Sequence, residues 1–244
     1  MTRYDGRKND ELRQIKIQVG IIKNADGSCY LEWGKNTVLA TVHGPKPIFP
    51  KHLGDETKAI IDYRYRMAPF SVSERKAPVP GKREKEISLV SGQALESAIF
   101  VEKFPNTVID IDTIILSADA GTRVAALTAA SVACANAGIP MKGLISAVAA
   151  GVVNKECVLD LMYEEEATEG TTDMPLALLM PQKEIVLLQM DGNVDRKQWE
   201  TIIEMATKGS EKVYELQKKA LLEKYPIEGE LDEWNNKHII CWRS

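Results

Sequence analysis

The chain has 244 residues, 44% hydrophobic and 27% charged, which places it among water-soluble globular chains of one large or two small domains. Lysine and arginine number 31 against 35 aspartates and glutamates, a net charge of −4, so the overall field does not advertise a polyanion binder and any such site must come from a local basic cluster. No run approaches the ~18 consecutive apolar residues of a membrane span. The polar opening MTRYDGRKNDELR predicts no secretory signal, and the scattered Cys29, Cys134, Cys157 and Cys241 fit neither a zinc site nor a disulfide framework, which suits a reducing cytosol.

In chain order, residues 14–22 alternate Ile15, Ile17, Val19 and Ile21 and end in the turn Asn24-Ala25-Asp26-Gly27. Two further strands, 28–33 and 37–43, flank Gly34-Lys35-Asn36, giving a meander. Residues 58–66 predict a fourth strand with Asp62, Arg64 and Arg66 on one face and Ile61, Tyr63 and Tyr65 on the other. The intervening 45–55 segment carries three prolines and Lys51-His52, and its length predicts a functional loop or a partner contact. A second loop, 68–81, leads into Lys82-Arg83, where a helix with apolar Ile87, Val90, Ala94, Leu95 and Ala98 begins. The β-branched run 107–116 reads as a buried strand, and the small-residue helix within 117–138 stops at Gly138, with Pro140 beyond. Strands are expected at 144–153, 157–162, 175–180 and 185–190, then a long amphipathic helix over about 195–224. The order predicts one α+β domain over 1–225 and an acidic tail, 226–244, with Trp234 and Trp242.

Three constellations carry possible chemistry. In Asp119-Ala120-Gly121-Thr122-Arg123 a strand gives way to a helix, whose first amides lack partners and lie at the positive end of the dipole. Gly121 lets an anion approach, Thr122 adds a hydroxyl and Arg123 a bidentate cation, the parts of a phosphate site. The same residues also fit an ordinary capped helix with a surface arginine. Lys82-Arg83, after Arg75-Lys76, opens a helix with positive charge against its dipole, as a polyphosphate site or a solvated charge run would. The acidic stretch 163–173 ends at Asp173 where a strand starts; it suits a hard cation such as Mg²⁺, or is simply an exposed loop.

Taken together, DGRKNDELR, ADGSCYLEWGKNTVLATVHGPK, PFSVSERK, GKREKE, SADAGTR, NAGIPM and TDMP keep their order and spacing over about residues 3–225, and in this the sequence resembles the RNase PH superfamily, most of all the catalytic-type ring subunit of the archaeal and eukaryotic RNA exosome. The resemblance implies a duplicated βαβα-type (ribosomal-protein-like) domain with mixed sheets and packed helices. It implies phosphorolysis, in which inorganic phosphate as co-substrate attacks the 3′-terminal linkage of single-stranded RNA and releases a nucleoside diphosphate, with 3′ tailing as the reverse. By position, Gly121, Thr122, Arg123 and Arg83 would bind phosphate; Lys82, Arg83, Arg64 and Arg75 would contact RNA, as would Lys51 and His52 in a pore loop. Asp173 would be metal ligand (Mg²⁺ or Mn²⁺) or general acid. The family's second Asp, six residues before it, is Ala167 here, and a neighbouring loop one residue longer makes Glu166 its counterpart. The implied partners are a paralogous RNase PH-like subunit in a hetero-hexamer and RNA-binding cap subunits, with no membrane. The expected setting is the cytoplasm, or nucleus and cytoplasm in a eukaryote. Ala167 also motivates the alternative of a catalytically inactive structural, RNA-binding ring subunit, and a stand-alone tRNA-trimming homohexamer is a third reading.

Overall fold

A computed structural model describes residues 3–226, so Trp234, Cys241 and Trp242 of the expected tail lie outside the described residues. The elements are β1 (Ile15–Val19), β2 (Gly27–Trp33), β3 (Asn36–Pro47), β4 (Ile60–Met67), α1 (Lys82–Ala98), β5 (Thr107–Ser117), α2 (Thr122–Asn136), β6 (Leu144–Val153), β7 (Glu156–Leu159), α3 (Tyr163–Glu166), β8 (Thr172–Met180), β9 (Glu184–Leu188) and α4 (Arg196–Lys224). Single 3₁₀ turns occupy Lys51–Leu53 and Val101–Lys103. Among the described residues no helix is long and apolar enough to cross a membrane.

The strands form two sheets, β1-β2-β3-β5-β4 and β7-β6-β8-β9. The first half contains a parallel pair, β4 beside β5, bridged by α1; the second sheet is antiparallel throughout. Helix α2 packs against β2 and β3 on one side and β6 on the other. A helix held between two sheets is buried nearly all round, which is why its sequence is Val, Leu and many alanines rather than amphipathic. The approach is so close that a Cβ on Gly27 would meet the Ala133 carbonyl at 2.2 Å. The hydroxyls inside α2 face β6, where Ser131 Oγ accepts from the Ile145 amide at 2.8 Å and Thr128 Oγ1 from that of Ala147 at 3.2 Å. One apolar cluster joins both sheets and α2.

Several boundaries depart from the sequence-based expectations. Strand β3 runs on to Pro47, past the expected end at His43, through an irregularity between His43 and Lys46. Strand β7 stops at Leu159, because Asp160 takes a left-handed conformation (φ 56°) and turns the chain into α3, where a plain loop was expected. Strand β8 starts three residues before Pro175, its antiparallel pairing with β6 reaching back to Thr172.

Candidate active site

The loop before α2 is built from the inside. Ala120 and Gly121 are both left-handed (φ 52° and 66°), a conformation that costs a non-glycine residue about 1–2 kcal/mol. It is held by Asn36, whose Oδ1 accepts from the Asp119 amide at 2.6 Å and whose Nδ2 donates to the Ala120 carbonyl at 2.6 Å. Arg13 donates to the Asp119 carbonyl at 2.5 Å. The capped-helix alternative does not describe this loop: the N-cap is Gly121, with no side-chain cap bond, and the Asp119 carboxylate instead accepts from the Tyr163 amide at 3.1 Å. No side chain among the described residues caps the N-terminus of α2. Thr122 is buried, and its Oγ1 accepts from the Tyr65 hydroxyl at 2.8 Å. Burial pushes Tyr65 up to about 12, so it stays a donor at neutral pH.

Behind this loop lies a buried set of ion pairs the sequence reading did not single out. Arg13 holds Asp160 through Nη2 at 2.7 Å, and the Asp160 carboxylate also accepts from the Arg13 amide at 2.7 Å and from Trp33 Nε1 at 2.8 Å. Arg3 holds Glu165 with two parallel bonds of 2.7 and 2.6 Å and donates to the Leu159 and Asp160 carbonyls. Glu165 faces inward to Arg3, and its neighbour Glu166 lines the cleft. A signal was available: Asp160 interrupts the apolar run Val158-Leu159-Asp160-Leu161-Met162, and a buried carboxylate has to be paired.

In front of the loop is a cleft of about 410 Å³. Arg83 and Glu86 of α1, Arg123 of α2, Glu166 of α3 and Asp173 of β8 line it, with Thr171, Gln189 and Asp191. A second cavity of about 400 Å³ adjoins it, sharing Arg83 and Glu166 and bounded by Gly121, Thr122, Tyr163 and Ala167. The three constellations, far apart in sequence, therefore meet here. Asp173 is held in register by paired amide–carbonyl bonds with Asp191 at 3.0 and 2.9 Å. Its carboxyl is pushed up to about 7, raised first by burial and then by Glu166, against the opposing pull of Arg123 and Arg83. Among the described residues neither Arg83 nor Arg123 forms an ion pair, so both charges stay available to a ligand. The basic start of α1 is offset by Glu84, which accepts from the Gly81 amide at 3.0 Å and pairs with Lys76 at 3.2 Å.

Other sequence-selected residues lie elsewhere. Arg64 is on β4 and is matched by Asp62, Asp110 and Asp112. Arg75 and Lys82 are exposed and line neither cavity, and Lys51 and His52 are exposed on the first 3₁₀ turn. Cys29 and Cys134 are buried and free, and Cys157 is free and half-buried. Among the described residues no three His, Cys, Asp or Glu side chains gather to hold an ion. Glu166 and Asp173 supply hard oxygen donors on one wall, which fits a cation that keeps most of its waters and takes one or two carboxylates plus substrate phosphate, as Mg²⁺ does.

Residues 11–140 match the family described as 3′ exoribonuclease family, domain 1 (RNase PH), and residues 143–209 match its domain 2. The chain is 54% identical over 223 residues to the exosome complex component Rrp41 of Thermococcus onnurineus, covering 91% of this chain and 89% of the relative. It is 53% identical over 235 residues to that of Archaeoglobus fulgidus, covering 95% and 91%. Among solved structures, that of rice (Oryza sativa) Rrp46 superposes with a TM-score of 0.80 at 25% identity, covering 90% of this chain and 99% of that one. The Archaeoglobus fulgidus exosome with RNA bound to the active site shares the fold, with a TM-score of 0.75 at 20% identity and coverages of 87% and 91%. The chain is a member of the RNase PH family of 3′ exoribonucleases.

Proposed function

We propose that this chain is the phosphorolytic 3′→5′ exoribonuclease subunit of an exosome core ring, and that the cleft between α1, α2, α3 and β8 is where it acts. The observation that carries the site is the pair of unneutralised arginines, Arg83 and Arg123, beside an uncapped helix N-terminus and a carboxyl poised near neutrality. Inorganic phosphate would sit on Arg123 and the first amides of α2, with Gly121 allowing close approach. Arg83 would neutralise the RNA phosphate under attack. One oxygen of the bound phosphate forms a bond to the terminal phosphorus of the RNA, and the bond from that phosphorus to the preceding 3′ oxygen breaks. Asp173 in its acid form donates its proton to that leaving oxygen, and the terminal nucleotide departs as a diphosphate. Such a transfer asks mainly for positioning and charge neutralisation.

Glu166 would hold Mg²⁺ or Mn²⁺, which when bound would neutralise charge on the transferring phosphate; Asp173 would join it as a ligand only in its ionised form, the alternative to its role as acid. Glu166 rather than Ala167 reaches the cleft beside Asp173, which supports an active site over a retired one. Lys82, Arg75 and Lys51 would meet the incoming strand as exposed cations, with His52 beside Lys51 as a further contact. A paralogous RNase PH-like ring subunit, RNA-binding caps and a cytoplasmic setting belong to the same proposal. The test is to mix the full chain, assembled with its paralogous subunit, with labelled single-stranded RNA and Mg²⁺, with and without phosphate. Nucleoside diphosphate should form only with phosphate, and Asp173→Ala should abolish it. Activity unchanged in Asp173→Ala would overturn the site, and an RNA-binding ring that releases no diphosphate would overturn the function.

A further inference from the structure

Gln189, just beyond β9, is an uncharged side chain placed between two charges of the cleft. Arg123 Nη1 donates to its Oε1, and its Nε2 donates to Glu86 Oε1 at 2.7 Å. The chemistry of the neighbours fixes the amide's orientation: a guanidinium only donates and an ionised carboxylate only accepts, so the oxygen must face Arg123 and the nitrogen Glu86. The relay ties together three elements, since Glu86 lies one turn after Arg83 on α1, Arg123 opens α2 and Gln189 follows β9. Elsewhere in this molecule an arginine that meets a carboxylate directly is neutralised by it, as Arg3 is by Glu165. At Arg123 the amide provides the orienting bond without the neutralising charge and keeps the Glu86 carboxylate one side chain away.

We propose that Gln189 is a positioning residue that aims Arg123 at the attacking phosphate and holds Glu86 off it. The proposal rests on the phosphate reading of the cleft. It predicts two effects from two substitutions. Gln189→Glu keeps the shape but sets a carboxylate against Arg123, and should raise KM for phosphate about tenfold, the value of a charge-assisted bond. Gln189→Ala removes the orienting bond and the spacer to Glu86 but sets no carboxylate directly against Arg123, and should lower kcat/KM for phosphate by a smaller factor, about fivefold. In both, KM for RNA and Tm should stay near the wild-type values, which separates positioning from a structural role.

The experiment is steady-state phosphorolysis with phosphate and RNA varied separately, on the full chain assembled with its paralogous subunit. A calorimetric titration of inorganic phosphate runs in parallel. The expected result is weaker phosphate binding in Gln189→Glu with RNA binding unmoved. Unchanged phosphate KM and affinity in both variants would overturn the proposal, as would an RNA KM that moves while the phosphate KM does not. If the wild-type assembly itself neither binds phosphate nor releases diphosphate, the reading of the cleft fails and the proposal fails with it.

Discussion

Two groups of arginines sit on either side of the loop before α2 and meet opposite fates. Behind it, Arg3 and Arg13 are buried and each is matched by a carboxylate at 2.6–2.7 Å. In front of it, Arg83 and Arg123 share a cleft with Glu166 and Asp173 and yet form no ion pair among the described residues. The matched arginines hold the chain in place, and the unmatched ones are those proposed to hold phosphate and RNA. What separates the two groups is whether a carboxylate is anchored at bonding distance. The exposed face of β4 gives a third case, in which Arg64 is shared by three aspartates and carries little net charge outward.

This contrast can be broken by mutation. Arg13→Ala leaves the buried Asp160 carboxylate with only Arg7, at 3.5 Å, as a counter-charge and should cost about 3 kcal/mol of stability by urea denaturation; a loss under about 1 kcal/mol would mean the buried pairs are not what fixes the loop. Arg123→Ala should leave Tm unchanged and reduce phosphate-dependent turnover about 10²–10³-fold, the scale for removing one preorganised donor at a developing charge; a parallel drop in Tm would put Arg123 in the first group.

Asp173 sharpens the comparison through pH. The folded chain keeps its proton up to about pH 7, whereas an unfolded chain releases it near pH 4. The stability tied to that proton is therefore complete below about pH 4 and is lost as pH rises toward 7. In metal-free buffer Asp173→Asn should be more stable than wild type at pH 8 by about 4 kcal/mol, with the gap closing toward pH 4. A gap that does not change with pH would contradict the assignment. The smallest effect is expected at Arg64→Ala, under about 1 kcal/mol in stability with phosphate KM unmoved, because Arg64 and its nearest partner Asp62 both reach solvent.

The front of the site was legible in the sequence, and the back was not. Glycine and arginine at the start of an apolar helix, a basic pair opening another, and an aspartate at the head of a strand each announce themselves locally, because each breaks the pattern of its own element. Arg13, Arg3 and Glu165 break no such pattern; Asp160 does interrupt an apolar run, but the meaning of all four lies in pairings across about 150 residues of chain, which no local period encodes. Gln189 was hidden for a similar reason, since a glutamine after a strand is ordinary until Arg123 and Glu86 are found on its two ends. The strands were placed well wherever alternation or β-branched runs set them, as at Tyr63 and Tyr65 of β4, whose buried face matched the expectation. Boundaries departed from pattern at the turn at Asp160 and the one-turn helix after it, and at the ends of β3 and β8, where pairing with a neighbouring strand carries the element on.

The most direct test of the account is to titrate inorganic phosphate into the assembled wild-type protein and into its Arg123→Ala and Arg64→Ala variants. The account predicts that phosphate binding is lost in Arg123→Ala and retained in Arg64→Ala. Equal weakening in both variants would show that phosphate responds to the general charge of the surface, and would contradict the claim that the unmatched arginine of the cleft is the one that binds it.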